Sequence, residues 1–244
     1  GFSYVEIGSV TYEGGKGNKK PRLFRIAGHS LLNRMGLNGD PAEENVYRIK
    51  RIEHPYFAVN IAKTHNTEIV GDKAIEDMVS SYKLLKHFGI YTVLNISCPN
   101  TREGKTFEDP KSLDELLSAV LATEKGKPLL AKMSPTLTKE QLEELLKVAD
   151  DRVDGYVCGN TKGITHPKYG KGGLSGQSIK KLSLDLIYNV RQLSKKVIIG
   201  VGGIDSGEDM FAAYLCGANV FQAYTGFVYG GTEFAQKVNA DFVR

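Results

Sequence analysis

Short β-rich runs alternate with amphipathic stretches of helical period along this chain, and no other feature constrains its fold as strongly. The runs span residues 4–9, 56–62, 91–96, 128–133, 154–158, 197–201 and 219–224. Several are near-continuous Val, Ile, Leu and Tyr, the composition of parallel strands covered on both faces. Between them, Ile75, Met78, Val79 and Tyr82 mark one apolar stripe, and Leu113, Leu116, Leu117, Val120 and Leu121 mark another. Ile179, Leu182, Leu186, Ile187, Val190 and Leu193 give a further one. Capping-box spacings, Ser112 with Glu115 and Thr138 with Gln141, mark helix starts. Strands alternating with helices imply right-handed crossovers and a parallel sheet.

The chain has 244 residues, close to the roughly 250 of a closed barrel. The expected architecture is α/β, a (β/α)8 TIM barrel with seven strands visible and the first missing from this chain, residues 1–244 forming a single domain incomplete at its N-terminus. A hydrophobic share of 41% and a charged share of 25% exclude disordered and collagen-like classes. No apolar run approaches the roughly 18 residues of a membrane span. The net charge, 32 − 28 = +4, permits an anionic ligand and does not require nucleic acid. Lys16, Lys19, Lys20, Arg22 and Arg25 lack the interleaved aromatics of single-strand binding and read as a solvated Gly-rich loop. Three widely spaced cysteines without a C-x-x-C pair argue for a reducing, intracellular setting and against zinc. The histidines at 29, 54, 65, 87 and 166 lack metal-ligand spacing, so no metal is expected and they read as surface or loop residues. The first residues have neither the basic nor the long apolar region of a signal peptide.

In a parallel barrel, chemistry gathers where strands end. Here the strand ends carry Ser9, Asn60 with Lys63, Asn95 with Cys98, Lys132, Asn160 with Thr161, Gly202 with Gly203, and Thr225 with Gly226. Each alone is an ordinary turn residue; together they describe a site. Gly200–Gly203 before a helix near Ser206, and Tyr224–Gly226 after the last strand, offer backbone amides to an anion where barrels commonly bind phosphate. Gly172–Gly176 adds a third, flexible segment. Asn95–Thr101 is the sharpest stretch, because Pro99 fixes a bend directly after Cys98. A thiolate there could act as general base or nucleophile, although a free cysteine is more often an inert buried one. No neighbouring His completes a hydrolytic pair. Asn95 and Asn100 suit a planar, amide-bearing ligand. Lys132 ends a buried-looking strand and needs a partner, such as an electron-rich cofactor ring. Asn33–Gly36 is either a solvated loop or a wrap around a ligand's amide edge. Cys158 and Cys216 lie in apolar runs and read as packing.

Taken together, these segments resemble the dihydroorotate dehydrogenase family, FMN-dependent enzymes that oxidise dihydroorotate to orotate in pyrimidine biosynthesis. The resemblance runs essentially end to end and rests on Gly8–Thr11, Gly17–Arg25, Asn33–Gly36, Val59–Ile61, Asn95–Thr101, Gly172–Gly176, Ile199–Gly203 and Tyr224–Gly226. It implies that Ser9, Asn60, Asn95, Lys132 and Gly176 contact FMN, with Gly203, Tyr224 and Thr225 holding its phosphate. It implies that Asn33, Arg34, Met35 and Gly36, with Asn95, Asn100, Asn160 and Thr161, line the orotate site. Cys98 falls at the base position, to take the C5 proton while hydride passes from C6 to the flavin N5. Lys132 would sit near the electron-rich end of the flavin.

The sequence also departs from the family. The Gly17–Arg25 and Asn33–Gly36 segments look like the membrane-associated, quinone-using class, whose base is usually serine. Cysteine is the habit of the soluble class, which passes electrons to fumarate or NAD. Quinone is the expected acceptor, with the protein cytoplasmic or peripheral on an energy-transducing inner membrane, touching it through a segment outside this chain. Gly159 stands where the quinone-using class usually has Thr. Nothing matches the Ala-Ala-Gly-Phe-Asp-Lys-like turn after the family's first strand, so the sequence predicts a natural product of about 300 residues or more, of which this is the larger C-terminal part. Two alternatives carry other expectations. A tRNA dihydrouridine synthase would use Lys16–Arg25 to hold RNA and an N-x-G-C-P motif near Asn95–Pro99, but has Gly where this chain has Ser97. A flavin-free, inactive barrel fragment would hold no chromophore.

Overall fold

The computed structural model describes residues 1–54, 56–97 and 106–243. In chain order its first elements are β1 (Val5–Val10), β2 (Leu23–Ile26), β3 (Ser30–Asn33), α1 (Ala42–Ile49), β4 (Phe57–Ile61), α2 (Asp72–Leu85) and β5 (Thr92–Asn95). Then follow α3 (Pro110–Leu121), β6 (Leu129–Met133), α4 (Lys139–Ala149), β7 (Gly155–Cys158), β8 (Lys162–His166) and β9 (Gly170–Gly176). The last are α5 (Lys180–Leu193), β10 (Val197–Val201), α6 (Gly207–Leu215), β11 (Val220–Gln222), α7 (Thr225–Gly230) and α8 (Phe234–Phe242).

The runs read from the sequence are the strands of one seven-stranded parallel sheet, ordered β1-β4-β5-β6-β7-β10-β11. Neighbours in the sheet are neighbours along the chain, as helical crossovers between parallel strands require. Alternate side chains point to opposite faces. Val59, Ile61, Leu94, Ala131, Tyr156 and Ile198 face outward, buried in one core with Met78, Leu85, Leu116, Leu145 and Val190 of the covering helices. Val93, Leu130, Val157 and Ile199 face inward and form a separate apolar layer. Fully burying a side chain of this size contributes about 1.5–3 kcal/mol, so both faces stabilise the sheet. Its outer members, β1 and β11, meet through side chains. Gln222 Nε2 donates to Glu6 Oε2 at 2.7 Å and to the Tyr4 hydroxyl at 3.2 Å. The sheet therefore curls around a common interior, as the TIM barrel predicted from the sequence requires.

Helix starts follow the sequence in part. The α4 capping box is complete, with Gln141 N donating to Thr138 Oγ1 and Thr138 N to Gln141 Oε1. For α3 the cap is Asp109 rather than Ser112, and Asp109 Oδ2 accepts from Ser112 N at 3.0 Å. Pro110 at the first helical position explains the earlier start, because its fixed φ suits a helix and it has no amide to satisfy there.

Residues 11–54 and the stretch before α5 are not simply loops. They hold α1 and a four-stranded antiparallel sheet, ordered β2-β3-β9-β8. Gly172–Gly176, expected as a flexible segment, is strand, with Gly173 paired to Asn33 and Gly176 to Ser30. Glycine-rich strands have no alternating apolar signal, and this one is held by its ladder and by close backbone approach.

The packing residues behave as the sequence predicts. Cys158 is fully buried and its thiol is pushed up by burial, while Cys216 packs at the margin of the same core. His29, His54, His65 and His87 are exposed, and His166 lies in β8. Lys63, at a strand end, is buried and donates to the Asn66 and Ile69 carbonyls at 3.0 and 2.9 Å, holding its own loop. Among the described residues no helix is long and apolar enough to cross a membrane.

Two positions generate tests. Gly159 has φ +131°, and a Cβ there would lie 1.9 Å from the Val201 carbonyl oxygen. Gly159→Thr should therefore lose at least about 1–3 kcal/mol of stability, measured by urea unfolding. An unchanged midpoint would show that β7 and β10 can separate without cost. Glu108, just before α3, accepts from Ser134 N just past β6, and burial pushes its carboxyl up to about 7 against the hydrogen bonds from Ser134 and Thr106. The folded state thus keeps a proton that the unfolded chain releases near its ordinary value of 4.5. Its contribution is complete below 4.5 and is lost as pH rises through about 7. Glu108→Gln should flatten that decline by about 3 kcal/mol, read as the difference between wild-type and variant unfolding curves from pH 4 to 8. Parallel curves would disprove the assignment.

Candidate active site

The inward phase of the strands, which in the layer below is apolar, turns polar toward the strand ends. Asn60 on β4, Asn95 on β5 and Lys132 on β6 all belong to this phase, and Asn95 and Lys132 are direct register partners. Asn60 and Asn95 are buried. Ser9 Oγ donates to Asn60 Oδ1 at 2.6 Å, and Asn60 Nδ2 donates to Glu6 Oε1 at 2.7 Å. Lys132 Nζ lies 3.3 Å from the same Glu6 oxygen. The partner that Lys132 was expected to need is thus a carboxylate of the chain itself. Sequence reasoning passed over Glu6, although a glutamate between Val5 and Ile7 in a strand was the available signal. Gln222 completes the group, since its Nε2 also lies 3.2 Å from the Tyr91 hydroxyl. Burial raises the Tyr4 and Tyr91 hydroxyls above their ordinary range, so both stay protonated around neutral pH.

A second cluster joins β5 to the segment after β7. Asn160 Nδ2 donates to Ser97 Oγ at 2.6 Å and to Asn95 Oδ1 at 3.3 Å, while Ser97 Oγ donates to Asn95 Oδ1 at 2.8 Å. Thr161 N donates to Asn160 Oδ1 at 2.9 Å, fixing which face of that amide carries its donors. Cys98 and Asn100, the expected base and one expected substrate ligand, lie outside the described residues.

The third cluster lies at the last strands. Gly203 has φ +77°, and a Cβ on it would lie 2.5 Å from Lys180 Cα, so only glycine lets this turn pack on the start of α5. Gln177 Nε2 donates to the Gly203 carbonyl at 2.8 Å and to Asp209 Oδ2 at 2.7 Å. Burial works to raise the Asp209 carboxyl, but hydrogen bonds from Lys180, the Asp205 amide and Gln177 outweigh it and hold the group below its usual range. Thr225 is buried, with Oγ1 2.9 Å from Ser175 Oγ beside Gly176 on β9, whereas Tyr224 is exposed.

The antiparallel sheet brings the fourth group. Asn33 ends β3, where its Nδ2 donates to the Gly173 carbonyl and its Oδ1 accepts from Met35 N. The Arg34 side chain is held by backbone carbonyls of two other segments. Its Nε and Nη2 donate to the Pro21 carbonyl at 3.3 and 3.1 Å, and its Nη1 to the Tyr169 carbonyl at 2.9 Å. Gly36 packs against Asn18, which in turn binds the Arg34 and Met35 backbone. Thr161 joins this group to the barrel, lying directly beneath Gly173. Among the described residues no group of three or more His, Cys, Asp or Glu could hold a metal.

The geometry amounts to amide groups and one cation on rigid strand ends, with close-packed glycine turns beside a buried hydroxyl at the last strands. Such a site suits a planar, polar heterocycle carrying an anionic tail. The description "Dihydroorotate dehydrogenase" belongs to the family matched over residues 1–244. A dihydroorotate dehydrogenase (quinone) of Thermus thermophilus is 36% identical over all of this chain and 73% of its own length. That of Mycolicibacterium vanbaalenii is 37% identical over 98% of this chain and 70% of its own. A crystal structure of the Eimeria tenella DHODH in complex with ferulenol superposes with a TM-score of 0.89 at 27% identity, covering 99% of this chain and 74% of that one. This chain is an oxidoreductase belonging to the dihydroorotate dehydrogenase family.

Proposed function

We propose that this site oxidises dihydroorotate to orotate in pyrimidine biosynthesis on a bound FMN, with Cys98 as general base and a quinone as the final electron acceptor. The observation that carries the reading is the Asn95–Lys132 register pair beside Asn60, on the same interior face as Glu6. Two features fit FMN. The buried amides and the cation match the polar edge of an isoalloxazine ring. The turn at Gly203, where a Cβ would strike α5, with buried Thr225 beside Gly176, leaves backbone and hydroxyl groups for a phosphate.

In this reading Ser9, Asn60, Asn95, Lys132 and Gly176 hold the ring and ribityl portions, and Gly203, Tyr224 and Thr225 the phosphate. FMN, when bound, supplies the two-electron acceptor for the hydride leaving C6 of the substrate. Asn95 and Asn160, held mutually by Ser97, orient the dihydropyrimidine through its amide edge, with Thr161 and the backbone of Asn33–Gly36 closing the opposite side. Asn100 would add a further amide contact. Cys98 takes the C5 proton; its unperturbed thiol titrates near 8.5, so a thiolate forms far more readily around neutral pH than a serine alkoxide. The quinone assignment rests on the names of the bacterial relatives.

Cys98→Ala should slow dihydroorotate-driven flavin bleaching by roughly 10²–10⁴-fold while the protein retains its FMN, measured anaerobically in a stopped-flow spectrophotometer. Reduction at the wild-type rate would sink the base assignment. Asn160→Ala should raise the KM for dihydroorotate and leave FMN content unchanged; steady-state kinetics with a short-chain quinone, fumarate or NAD as acceptor would read both the KM and the acceptor. Turnover with fumarate or NAD but not quinone would overturn the acceptor.

A further inference from the structure

Glu6 makes three hydrogen-bonded contacts with groups on three other strands. Its Oε1 accepts from Asn60 Nδ2 on β4 at 2.7 Å and faces Lys132 Nζ on β6 at 3.3 Å. Its Oε2 accepts from Gln222 Nε2 on β11 at 2.7 Å. The carboxylate and the ammonium are both largely shielded, with side-chain exposures of 11% and 17%. A pure packing role does not account for this arrangement. Replacing a shielded ion pair by apolar residues is often neutral or stabilising, and the apolar inward layer of Val93, Leu130, Val157 and Ile199 shows that this interior packs without charge.

We propose that Glu6 is a positioning residue for the flavin: it aims Lys132 and Asn60 and, by balancing the lysine's charge, sets how strongly the site favours the reduced cofactor. The proposal rests on the FMN reading above. Asn60 can present only what Glu6 and Ser9 leave free, since Glu6 takes a proton of its Nδ2 and Ser9 occupies its Oδ1. Lys132 is the charge nearest to Glu6 in this network, so the pair is close to neutral. Removing the carboxylate leaves an uncompensated cation in a poorly solvated interior, where charges interact far more strongly than in water. A cation favours the form of a cofactor that has gained electrons.

The test uses the FMN-loaded protein. Glu6→Gln keeps the shape and removes the charge, and should raise the affinity for reduced over oxidised FMN about tenfold, an upward shift of the two-electron midpoint of about 30 mV. The midpoint is read by equilibration against a reference dye. Glu6→Asp, which keeps the charge but withdraws it by one methylene, should shift the ratio the same way by about two- to threefold, and carries the test if the first variant does not fold. A structural role would lower the melting temperature or FMN content and leave the midpoint where it was. Unchanged midpoints in the soluble variants, whatever happens to stability, would overturn the proposal. A wild-type protein that binds no FMN would instead overturn the flavin reading, and would be seen before any variant is made.

Discussion

Side chains that point into a curled parallel sheet have nowhere to go but toward one another. That confinement decides what each inward position can be. An inward polar group cannot reach bulk water freely, so it costs stability unless another inward group satisfies it. Val93, Leu130, Val157 and Ile199 meet the constraint by being apolar. One pleat further along, Asn95 and Lys132 stand above Val93 and Leu130 on the same strands, and there the constraint is met by reciprocity instead. Glu6 takes donors from Asn60, Lys132 and Gln222, and Gln222 in turn reaches Tyr4 and Tyr91. The first and last strands of the sheet are thereby coupled through a carboxylate and an amide.

The antiparallel sheet answers a different need. Strand ends alone present side chains from one side; a ligand must also be covered from the other. β3 and β9 bring Asn33 and the Gly173–Gly176 backbone to the end of β7, where Thr161 sits beneath Gly173. This arm is not loose. Arg34 ties it to the Pro21 and Tyr169 carbonyls, and Phe24 stacks on Tyr169 with ring centroids 4.2 Å apart. On its far side the Tyr229 hydroxyl donates to the Ser30 carbonyl at 2.9 Å and lies 3.2 Å from that of Ile26, fastening β2 and β3 to α7. The arginine next to Asn33 thus helps to hold the arm beside the end of β7.

What could be read from the sequence follows the same physics. The seven barrel strands were legible because both faces are buried, leaving continuous apolar runs such as Val197–Val201. The α4 start was legible because Thr138 and Gln141 have no competing cap, whereas Pro110 moved the α3 start ahead of Ser112. β8 and β9 were not legible, since Lys162–His166 and Gly170–Gly176 are stabilised by long-range pairing and not by composition. Asn60, Asn95 and Lys132 stood out because polar residues end apolar strands. Glu6 did not, because it sits inside its strand, where only the inward phase and partners distant in sequence give a charge its meaning. Glu108 was hidden similarly, because its partner Ser134 is distant in sequence.

Two carboxylates at opposite margins of the site show how far environment outweighs residue type. Asp209 and Glu108 are both shielded from water, yet they move in opposite directions. Asp209 is met by a lysine, an amide and a glutamine, so its charged form is the comfortable one. Its contribution to stability is complete above the ordinary value of 3.8 and is withdrawn as pH falls through the depressed folded value. Among the described residues Glu108 is met by a backbone amide and a threonine and by no cation, and burial prevails. Its contribution runs the other way, withdrawn as the solution becomes neutral. The first supports the turn at Gly203 through Gln177, and the second supports the chain just beyond Lys132. Acid therefore weakens the support on the proposed phosphate side, and neutrality weakens the support near the lysine. Among the described residues, the lysine beside Asp209 separates the two cases: one carboxyl is met by a positive partner and the other by neutral donors alone.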